Sequence, residues 1–380
     1  MTHIAGRTVF KVGLDFYKGK RVLVTGHTGF KGSWMCRALI LAGAEVWGYA
    51  LKSPTEPALF ELCRLREGMH SLEGDIRDLP RLMKAFEEAE PEIVIHMAAQ
   101  PIVRDSYRDP VGTYDTNVMG TVNVCEAVRR TPSVRSFVNV TTDKVYRNKE
   151  WEWGYREEEE LNGFDPYSNS KSCSELVTSC YRNSFFTDEE YQKRYGIDAP
   201  AVSTCRAGNV IGGGDFAHDR IIPDCVRAVS EGKKIVVRSP LSTRPYQHVL
   251  EPVMTYLMVA EAQLVDREKS GCYNVGPDDC DCVTTGDLVQ LFCGVWNDIA
   301  PEMGLHGASW IDRSDGGPHE AGFLKLDCSR LKRTFGWQPV WDIKEAVKRT
   351  ARWYAAYLSG EDIRSVMDEQ IREYLLLQEH

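Results

Sequence analysis

Tyr167 and Lys171 stand four residues apart in Tyr167-Ser168-Asn169-Ser170-Lys171, a spacing that sets a phenol and an ammonium on one face of a helix opening after Pro166. A phenol with a pKa near 10 is a poor base at neutral pH, and an adjacent ammonium that favours phenolate changes that. Just upstream, Thr141-Thr142-Asp143-Lys144 follows the strand-like run Ser136 to Val140, so the Thr142 hydroxyl stands at a strand end where it can complete a Thr, Tyr, Lys set. In such a set Thr142 hydrogen-bonds an alcohol or carbonyl oxygen, Tyr167 exchanges its proton, and a nicotinamide takes or gives hydride at the same carbon. An ordinary helical i,i+4 pair is the bland alternative. Asp143 and Lys144 add a second acid–base pair that plain alcohol oxidation does not use. Once an alcohol is oxidised to a ketone the neighbouring C–H turns acidic, and water is eliminated if a base removes that proton while an acid protonates the β-hydroxyl. Asp143 is the acid of this scheme and needs a raised pKa; Lys144 is the base and needs a lowered one. A surface salt bridge at a strand end is the competing reading.

A nicotinamide needs a cradle for its phosphates. Gly26-His27-Thr28-Gly29-Phe30-Lys31-Gly32 places three glycines in a GxxGxxG pattern directly after the strand-like Arg21 to Thr25 and before a stretch of helix composition, Gly32 to Ala42. Glycines at these positions allow a tight turn, close approach of backbone amides to a pyrophosphate, and packing of the helix on the strand with its positive end toward the anion. An Asp or Glu is expected roughly 20 residues on, at the end of the second strand, to hold the adenosine ribose hydroxyls. That strand instead ends Tyr49-Ala50-Leu51-Lys52-Ser53. NAD is the expected cofactor, NADP stays open, and Lys52 either meets a 2′-phosphate or is simply solvated.

The elements that must position these groups show as alternation of short β-branched runs with amphipathic stretches, the signature of a parallel sheet with crossover helices. After Glu45 to Tyr49, strands are expected at His70 to Gly74, Ile93 to Ala98 and Ser136 to Val140, and helices at Leu79 to Glu88, Thr113 to Arg130 and Ser168 to Phe185. From Gly208 on, Gly212-Gly213-Gly214, Arg244-Pro245 and Gly316-Gly317-Pro318 break the pattern into shorter pieces. The expected fold class is α/β: a Rossmann doubly wound parallel sheet over residues 17–207 with a return of 249–277, a smaller α/β substrate-binding domain from 208–248 and 278–358, and a C-terminal helical tail over 359–380. A chain of 380 residues with 43% hydrophobic and 27% charged side chains buries a core without staples. Its net charge of -9 argues against nucleic acid and anionic membrane as partners. The first 17 residues hold only short apolar runs and no window suits a membrane span, so the cytoplasm is the expected compartment. Twelve cysteines include no CxxC pair, and no metal site is expected.

Several longer stretches carry a family likeness. Val24-Thr25-Gly26-His27-Thr28-Gly29-Phe30-Lys31-Gly32-Ser33-Trp34, Thr141-Thr142-Asp143-Lys144-Val145-Tyr146, Asn148-Lys149-Glu150-Trp151 and Asp165-Pro166-Tyr167-Ser168-Asn169-Ser170-Lys171 closely resemble the CDP-glucose 4,6-dehydratases, a family of extended short-chain dehydrogenases/reductases. Arg206 to Asp215, Arg244 to Pro252 and Lys325 to Ser329 extend the resemblance over nearly the whole chain. His27 in the glycine turn and Lys144 after the aspartate are its specific signs, since dTDP-glucose relatives carry Glu at the latter position. The resemblance implies bound NAD that is reduced and reoxidised within one turnover of a nucleotide-sugar, CDP-glucose, with oxidation at C4, loss of water across C5 and C6, and hydride return to C6. The product would be CDP-4-keto-6-deoxy-D-glucose, a precursor of dideoxysugars in bacterial surface polysaccharides. It also implies roles by motif position: Thr142, Tyr167 and Lys171 as the triad, Asp143 and Lys144 as the dehydration pair. Gly26, Thr28, Gly29, Phe30, Lys31 and Gly32 would hold the cofactor with Asp75 and Ile76 at the adenine, Ala98, Ala99 and Gln100 along the dinucleotide, and Thr116 and Asn117 nearby. Asn209, Ile222, Pro223, Arg244, Asn274, His319 and Glu320 fall where relatives contact the nucleotide-sugar. Helices 113–130 and 168–185 would pair across a two-fold axis, giving a homodimer or a dimer of dimers.

Read without the resemblance, the later residues carry less. Arg244 can grip a diphosphate as a planar fork, yet an isolated Arg is usually a surface residue; Asn209 and Asn274 can be turn caps. His96, in an apolar strand, reads as a hydrogen-bonded core residue, and the Trp151-Glu152-Trp153 insert either covers the site or packs. Two other readings of the scaffold stand beside dehydration: an epimerase or reductase, which would use the triad without the Asp-Lys pair, and a non-catalytic dinucleotide-binding regulator.

Overall fold

The computed structural model describes residues 13–313 and 322–378, together with the short strands Thr2–Ile4 and Arg7–Val9, which pair antiparallel. Seven strands form one parallel sheet: β1 (Arg21–Thr25), β2 (Glu45–Ala50), β3 (His70–Glu73), β4 (Ile93–His96), β5 (Ser136–Val140), β6 (Ala201–Ala207) and β7 (Cys272–Val275). Their spatial order is β7-β6-β5-β4-β1-β2-β3. The order reverses between β1 and β4, where a doubly wound sheet opens its ligand crevice at the carboxyl ends of the strands. Both faces are covered, as an all-parallel sheet requires. Val22 and Val24 of β1 enter one buried cluster with Trp34 and Leu257, whereas Leu23 between them enters a second cluster with Phe86 and Val124, so the period-two alternation divides one strand between two cores.

Eight helices matter to the site. On the sheet lie α1 (Phe30–Leu41), α2 (Leu79–Ala89), α3 (Gly120–Arg130) and α4 (Pro166–Ser184). Further along come α5 (Ile221–Ser230), α6 (Leu250–Val265), α7 (Ile343–Leu358) and α8 (Ile363–Gln378). Buried almost all round, α6 crosses behind β5 and β6; Gln263 Nε2 donates to Ser136 Oγ at 2.8 Å, and the Tyr17 hydroxyl donates to the Leu257 carbonyl at 2.6 Å. Strand β7 then joins the sheet edge in register with β6, Asn274 opposite Arg206. The stretches between and after these elements carry the strand pairs Ile235–Val237 with Trp310–Asp312 and Thr243–Arg244 with Val283–Thr284.

One expected element is altered and another acquires unexpected ties. The helix expected over 113–130 is interrupted: a short helix Pro110–Tyr114 runs into a π turn, Asp115–Met119, before α3 begins. The Gly120 N–H reaches back five residues to the Asp115 carbonyl, and this wider turn swings Asn117 inward until it is 1% exposed. The tail, expected as a helix without a functional signal, forms α8 and is tied into the molecule. Asp368 of α8 receives both Nε and Nη2 of Arg37 on α1 in a buried ion pair, and Tyr374 donates to the buried Glu251 of α6 at 2.8 Å.

Candidate active site

The glycine turn is built for close approach. Gly26 has φ +77°, and a Cβ there would lie 2.8 Å from the Ala98 amide nitrogen; a Cβ on Gly32 would lie 2.2 Å from the Gly26 carbonyl oxygen. Gly29 caps α1 without a side-chain hydrogen bond, so no side chain competes for the first amides of that helix. Residues 98–100 line the other side. Asn117 Oδ1 accepts from the Gln100 amide at 2.8 Å and its Nδ2 donates to the Gln100 carbonyl at 3.0 Å and to Ser170 Oγ at 2.9 Å. Expected as a cofactor contact, Asn117 uses both amide hydrogens and one lone pair of its oxygen to clamp this segment to α4, and it is 1% exposed. Thr28 Oγ1 donates to the Leu51 carbonyl at 3.0 Å, closing the turn against the end of β2. Ile76 is buried against Gly120, and Asp75 is gripped by Arg77 at 2.6 Å, which holds its carboxyl below the usual range. Thr116 lies in the π turn. The cradle fits a dinucleotide: a backbone-lined turn, uncapped helix amides, and glycines where side chains would block the approach.

The triad residues meet at the end of β5. Asp165 caps α4, accepting from the Ser168 amide at 2.9 Å with Pro166 in the first turn, and this entry sets Tyr167 beside Thr142. Burial pushes the Tyr167 phenol up to about 12, while the Thr142 hydroxyl and Arg220 pull it back. Lys171, one turn on, is buried and donates to the Val140 carbonyl at 3.1 Å. Burial, together with the like charge of Lys31, lowers its ammonium to about 7.

Next to them lies the second pair. Lys144 Nζ donates to Asp143 Oδ1 at 3.0 Å and to Asn209 Oδ1 at 2.9 Å, and the Thr142 hydroxyl also donates to Asp143 Oδ1, at 3.0 Å. The Asp143 side chain is 0% exposed and that of Lys144 28%. A strand-end surface bridge is thereby ruled out. Asp143 Oδ2 is buried with no hydrogen-bond partner among the described residues, an acceptor with its capacity unspent.

Other groups converge that the sequence reading did not single out. Arg220, just before α5, pairs with the buried Asp215 at 2.7 Å and faces Tyr167. Lys31, expected at the cofactor phosphates, shares its field with Asp143, Lys144, Asp215 and Arg220; burial first, then Arg220, lowers it to about 8. Beneath the triad, Glu175 accepts from Thr141 and Thr204 hydroxyls and from Arg206 at 2.8 Å, a buried pair tying α4 to β5 and β6. Glu175 follows Tyr167 and Lys171 at the next i+4 position, so the helical period alone could have found it. No spacing links Arg220 to Tyr167, 53 positions apart in sequence.

Of the expected substrate contacts, Asn209 sits at the site through Lys144. Arg244, next to Pro245 in sequence, is buried, its Nη1 donating to the Thr243 carbonyl at 2.9 Å. Ile222 and Pro223 are buried in the first turn of α5, where their side chains serve packing. Asn274 does not serve as a side-chain contact. It is 0% exposed, accepts from Tyr146 at 2.6 Å and donates to the Tyr155 and Asp327 carbonyls at 2.8 and 3.1 Å, so it belongs to the frame under the site. His319 and Glu320 lie outside the described residues. His96 is the core residue expected: Nδ1 pairs with Thr25 Oγ1 at 2.7 Å, and burial lowers it to about 3. In the tryptophan insert, Trp151 packs on Tyr155 while Trp153 is exposed.

Comparison with known proteins agrees with this geometry. The family model described as GDP-mannose 4,6 dehydratase matches residues 23–350. The chain is 47% identical over 362 residues to the CDP-glucose 4,6-dehydratase of Salmonella typhimurium, covering 95% of this chain and 98% of that one. It is 26% identical to a probable dTDP-glucose 4,6-dehydratase of Sinorhizobium fredii, covering 88% and 92% of the two chains. In fold it is similar to the UDP-glucose 4-epimerase of Thermotoga maritima, with a TM-score of 0.73 at 20% identity over 89% of this chain and 99% of that one. It is also similar to the dTDP-glucose 4,6-dehydratase of Bacillus anthracis, solved with NAD, at a TM-score of 0.66 and 21% identity over 88% and 96%.

Proposed function

The chain belongs to the GDP-mannose 4,6-dehydratase family, and from that premise we propose that its reaction is the 4,6-dehydration of CDP-D-glucose to CDP-4-keto-6-deoxy-D-glucose. It is a hydro-lyase. NAD, when bound, supplies the hydride acceptor at C4 and the hydride donor at C6. The observation that carries the reading is the Asp143–Lys144 pair, hydrogen-bonded at 3.0 Å directly beside Thr142, because oxidation or epimerisation alone has no use for it.

Thr142 orients the C4 hydroxyl, and Tyr167 takes its proton as the C4–H bond breaks. Arg220 is the cation whose field favours the phenolate, and Lys171 stands one helical turn on with its ammonium lowered to about 7. As it stands, Lys144 is an ion-paired ammonium and no base. One proton passed across the 3.0 Å contact converts the pair into a neutral amine and a carboxylic acid, the two partners that elimination requires. Lys144 then removes the C5 proton, and Asp143 protonates the departing C6 hydroxyl, which leaves as water. Return to C5, by way of Lys144, of the proton that Tyr167 took from the C4 hydroxyl, and return of the hydride to C6, would restore every group, so the net change is loss of water.

Around this chemistry we place Gly26, Thr28, Gly29, Phe30, Lys31, Gly32, Asp75, Ile76, Ala98, Ala99, Gln100 and Thr116 on the dinucleotide, with Asn117 positioning Gln100. Asn209, Arg244 and the backbone at Ile222-Pro223 are assigned to the nucleotide-sugar. Residues 17–207 with 249–277 form the dinucleotide half and 208–248 with 278–358 the sugar half. Two copies pair through the exposed apolar side chains Tyr107 and Val111 before the π turn, Met119 in it and Leu176 on α4; a Val111→Lys, Leu176→Lys variant sedimenting as the parent does would refute this. No helix among the described residues is long and apolar enough to cross a membrane, and the twelve cysteines are free thiols, which suits the cytoplasm.

The test is incubation with CDP-glucose in deuterated water without added dinucleotide, read by mass spectrometry and NMR. Loss of the elements of water with one deuterium at C5 is the expected result. Turnover of a dTDP or GDP sugar in its place would keep the chemistry and discard the substrate.

A further inference from the structure

Helix α6 begins at the carboxyl ends of the strands and finishes at their amino ends. The Val249 amide just before it donates to the Ile211 carbonyl at 2.8 Å, and toward its far end the Ala260 carbonyl accepts from Ser136 Oγ, at the start of β5, at 2.9 Å. Tyr256 stands one turn before Ala260, ~6 Å nearer the carboxyl ends. Helix side chains lean toward the helix N-terminus, so the phenol is carried further toward the end of β5. There it comes level with Cys205, which lies opposite Val140 in the sheet register, and the charges of Cys205, Tyr167 and Asp143 all bear on it. Tyr256 is 0% exposed, and its hydroxyl has no hydrogen-bond partner among the described residues. Asp143 Oδ2, just past the end of β5, is in the same state. A buried donor and a buried acceptor left open in one field are what a shared partner satisfies.

We propose that Tyr256 is a positioning residue for the loss of water, its hydroxyl donating to Asp143 Oδ2 through one bridging water. The inference rests on the reading of Asp143 as the acid of the elimination. A carboxylate oxygen carries two lone pairs, so Oδ2 holds this donor and still meets the C6 hydroxyl, while Oδ1 keeps Thr142 and Lys144. Burial pushes the Tyr256 phenol well above its ordinary range, so it remains a donor throughout the neutral region. A donated hydrogen bond favours the carboxylate over the acid, which makes Asp143 readier to give its proton to the departing hydroxyl. The other charged and titratable groups of this field are Lys144 beside Asp143, Lys31 of α1, Tyr167 of α4, Arg220 with Asp215 before α5, and the Cys205 thiol of β6. All of them stay in place when the Tyr256 hydroxyl alone is removed.

The test is single turnover of the NAD-bound protein with CDP-glucose across a series of pH values, cofactor reduction being followed by absorbance and water loss by rapid quench and mass spectrometry. In Tyr256→Phe, which keeps the ring and its packing, water loss should slow about tenfold while cofactor reduction stays within a few-fold. The alkaline limb of the water-loss rate should move up by about one pH unit, because without the donor the Asp143–Lys144 pair holds its proton more tightly. A ring-fluorinated tyrosine in place of Tyr256, a stronger donor of nearly the same shape, should move that limb down. A limb unmoved in both variants, or equal slowing of both steps, would overturn the role of Tyr256 and leave the 4,6-dehydration standing. Absence of water loss from CDP-glucose in the parent protein would overturn both.

Discussion

The surroundings of Tyr167 favour its neutral phenol, and the role proposed for it needs the phenolate. Burial raises the phenol to about 12, so proton acceptance rests on the Thr142 hydroxyl and nearby cations. Tyr167→Phe removes the acceptor without disturbing packing and is expected to slow cofactor reduction by CDP-glucose about 10²- to 10⁴-fold, followed by absorbance at the reduced nicotinamide; parental rates would remove Tyr167 from its place. Lys144 separates the two half-reactions. Its ammonium contacts Asp143 and Asn209 but is not what holds Tyr167, so Lys144→Ala should leave cofactor reduction within a few-fold and slow water loss by about 10²-fold or more. Equal loss of both steps in a single-turnover experiment would count against the assignment. At this scale the legible part was the chemistry-bearing set, because Thr142, Asp143 and Lys144 are contiguous and Tyr167, Lys171 and Glu175 share one helical period. Arg220 was not legible, since only the path of the loop brings it to the phenol.

Among the elements, the π turn and the C-terminal helix do the unexpected work. One extra residue in the turn at Asp115–Met119 makes Asn117 a clamp rather than a ligand contact, and no local composition announces it. Helix α8 is fastened by the Arg37–Asp368 pair, with side chains only 7% and 12% exposed. Truncating one member leaves the other buried and unpaired, so Asp368→Ala should cost about 3–5 kcal/mol in urea unfolding. A loss below about 1 kcal/mol, the level of a surface ion pair, would mean that α8 is not clamped there. The sequence showed a charged, leucine-containing helix in this stretch, but its partner lies 331 positions away and no periodicity reports a pair at that range.

The whole molecule is bounded in pH from both sides. His27, His96 and His248 are buried, with pKa values lowered to about 4, 3 and 3. Their contribution is present above 6.5, the unfolded value, and is lost as pH falls through it toward the folded values. Glu251 works in the opposite direction. Burial raises it from 4.5 to about 7 against the Trp341 amide and the Tyr374 hydroxyl, which favour the carboxylate. The fold binds its proton where the unfolded chain does not, so the contribution is complete below 4.5 and lost as pH rises to about 7, at most about 3 kcal/mol. Glu251→Gln removes this dependence. The melting temperature of the variant relative to the parent should therefore rise between pH 5 and pH 8; a constant difference would show that Glu251 does not titrate in that window.

Sequence alone determined the class of fold, and it singled out the candidate phosphate cradle and five candidate catalytic groups, because each is written in local spacing: three glycines between a strand and a helix, a proposed triad split between one strand end and one helical turn, an acid beside a base. Tertiary structure decided which of those groups are dry. It placed Asp143 at zero exposure with a free oxygen, brought Asn209 to Lys144 and Arg220 to Tyr167, and committed Asn117 and Asn274 to the frame. Burial and long-range hydrogen bonding depend on what the rest of the chain packs against a residue, and neither is encoded in the residue's own neighbourhood.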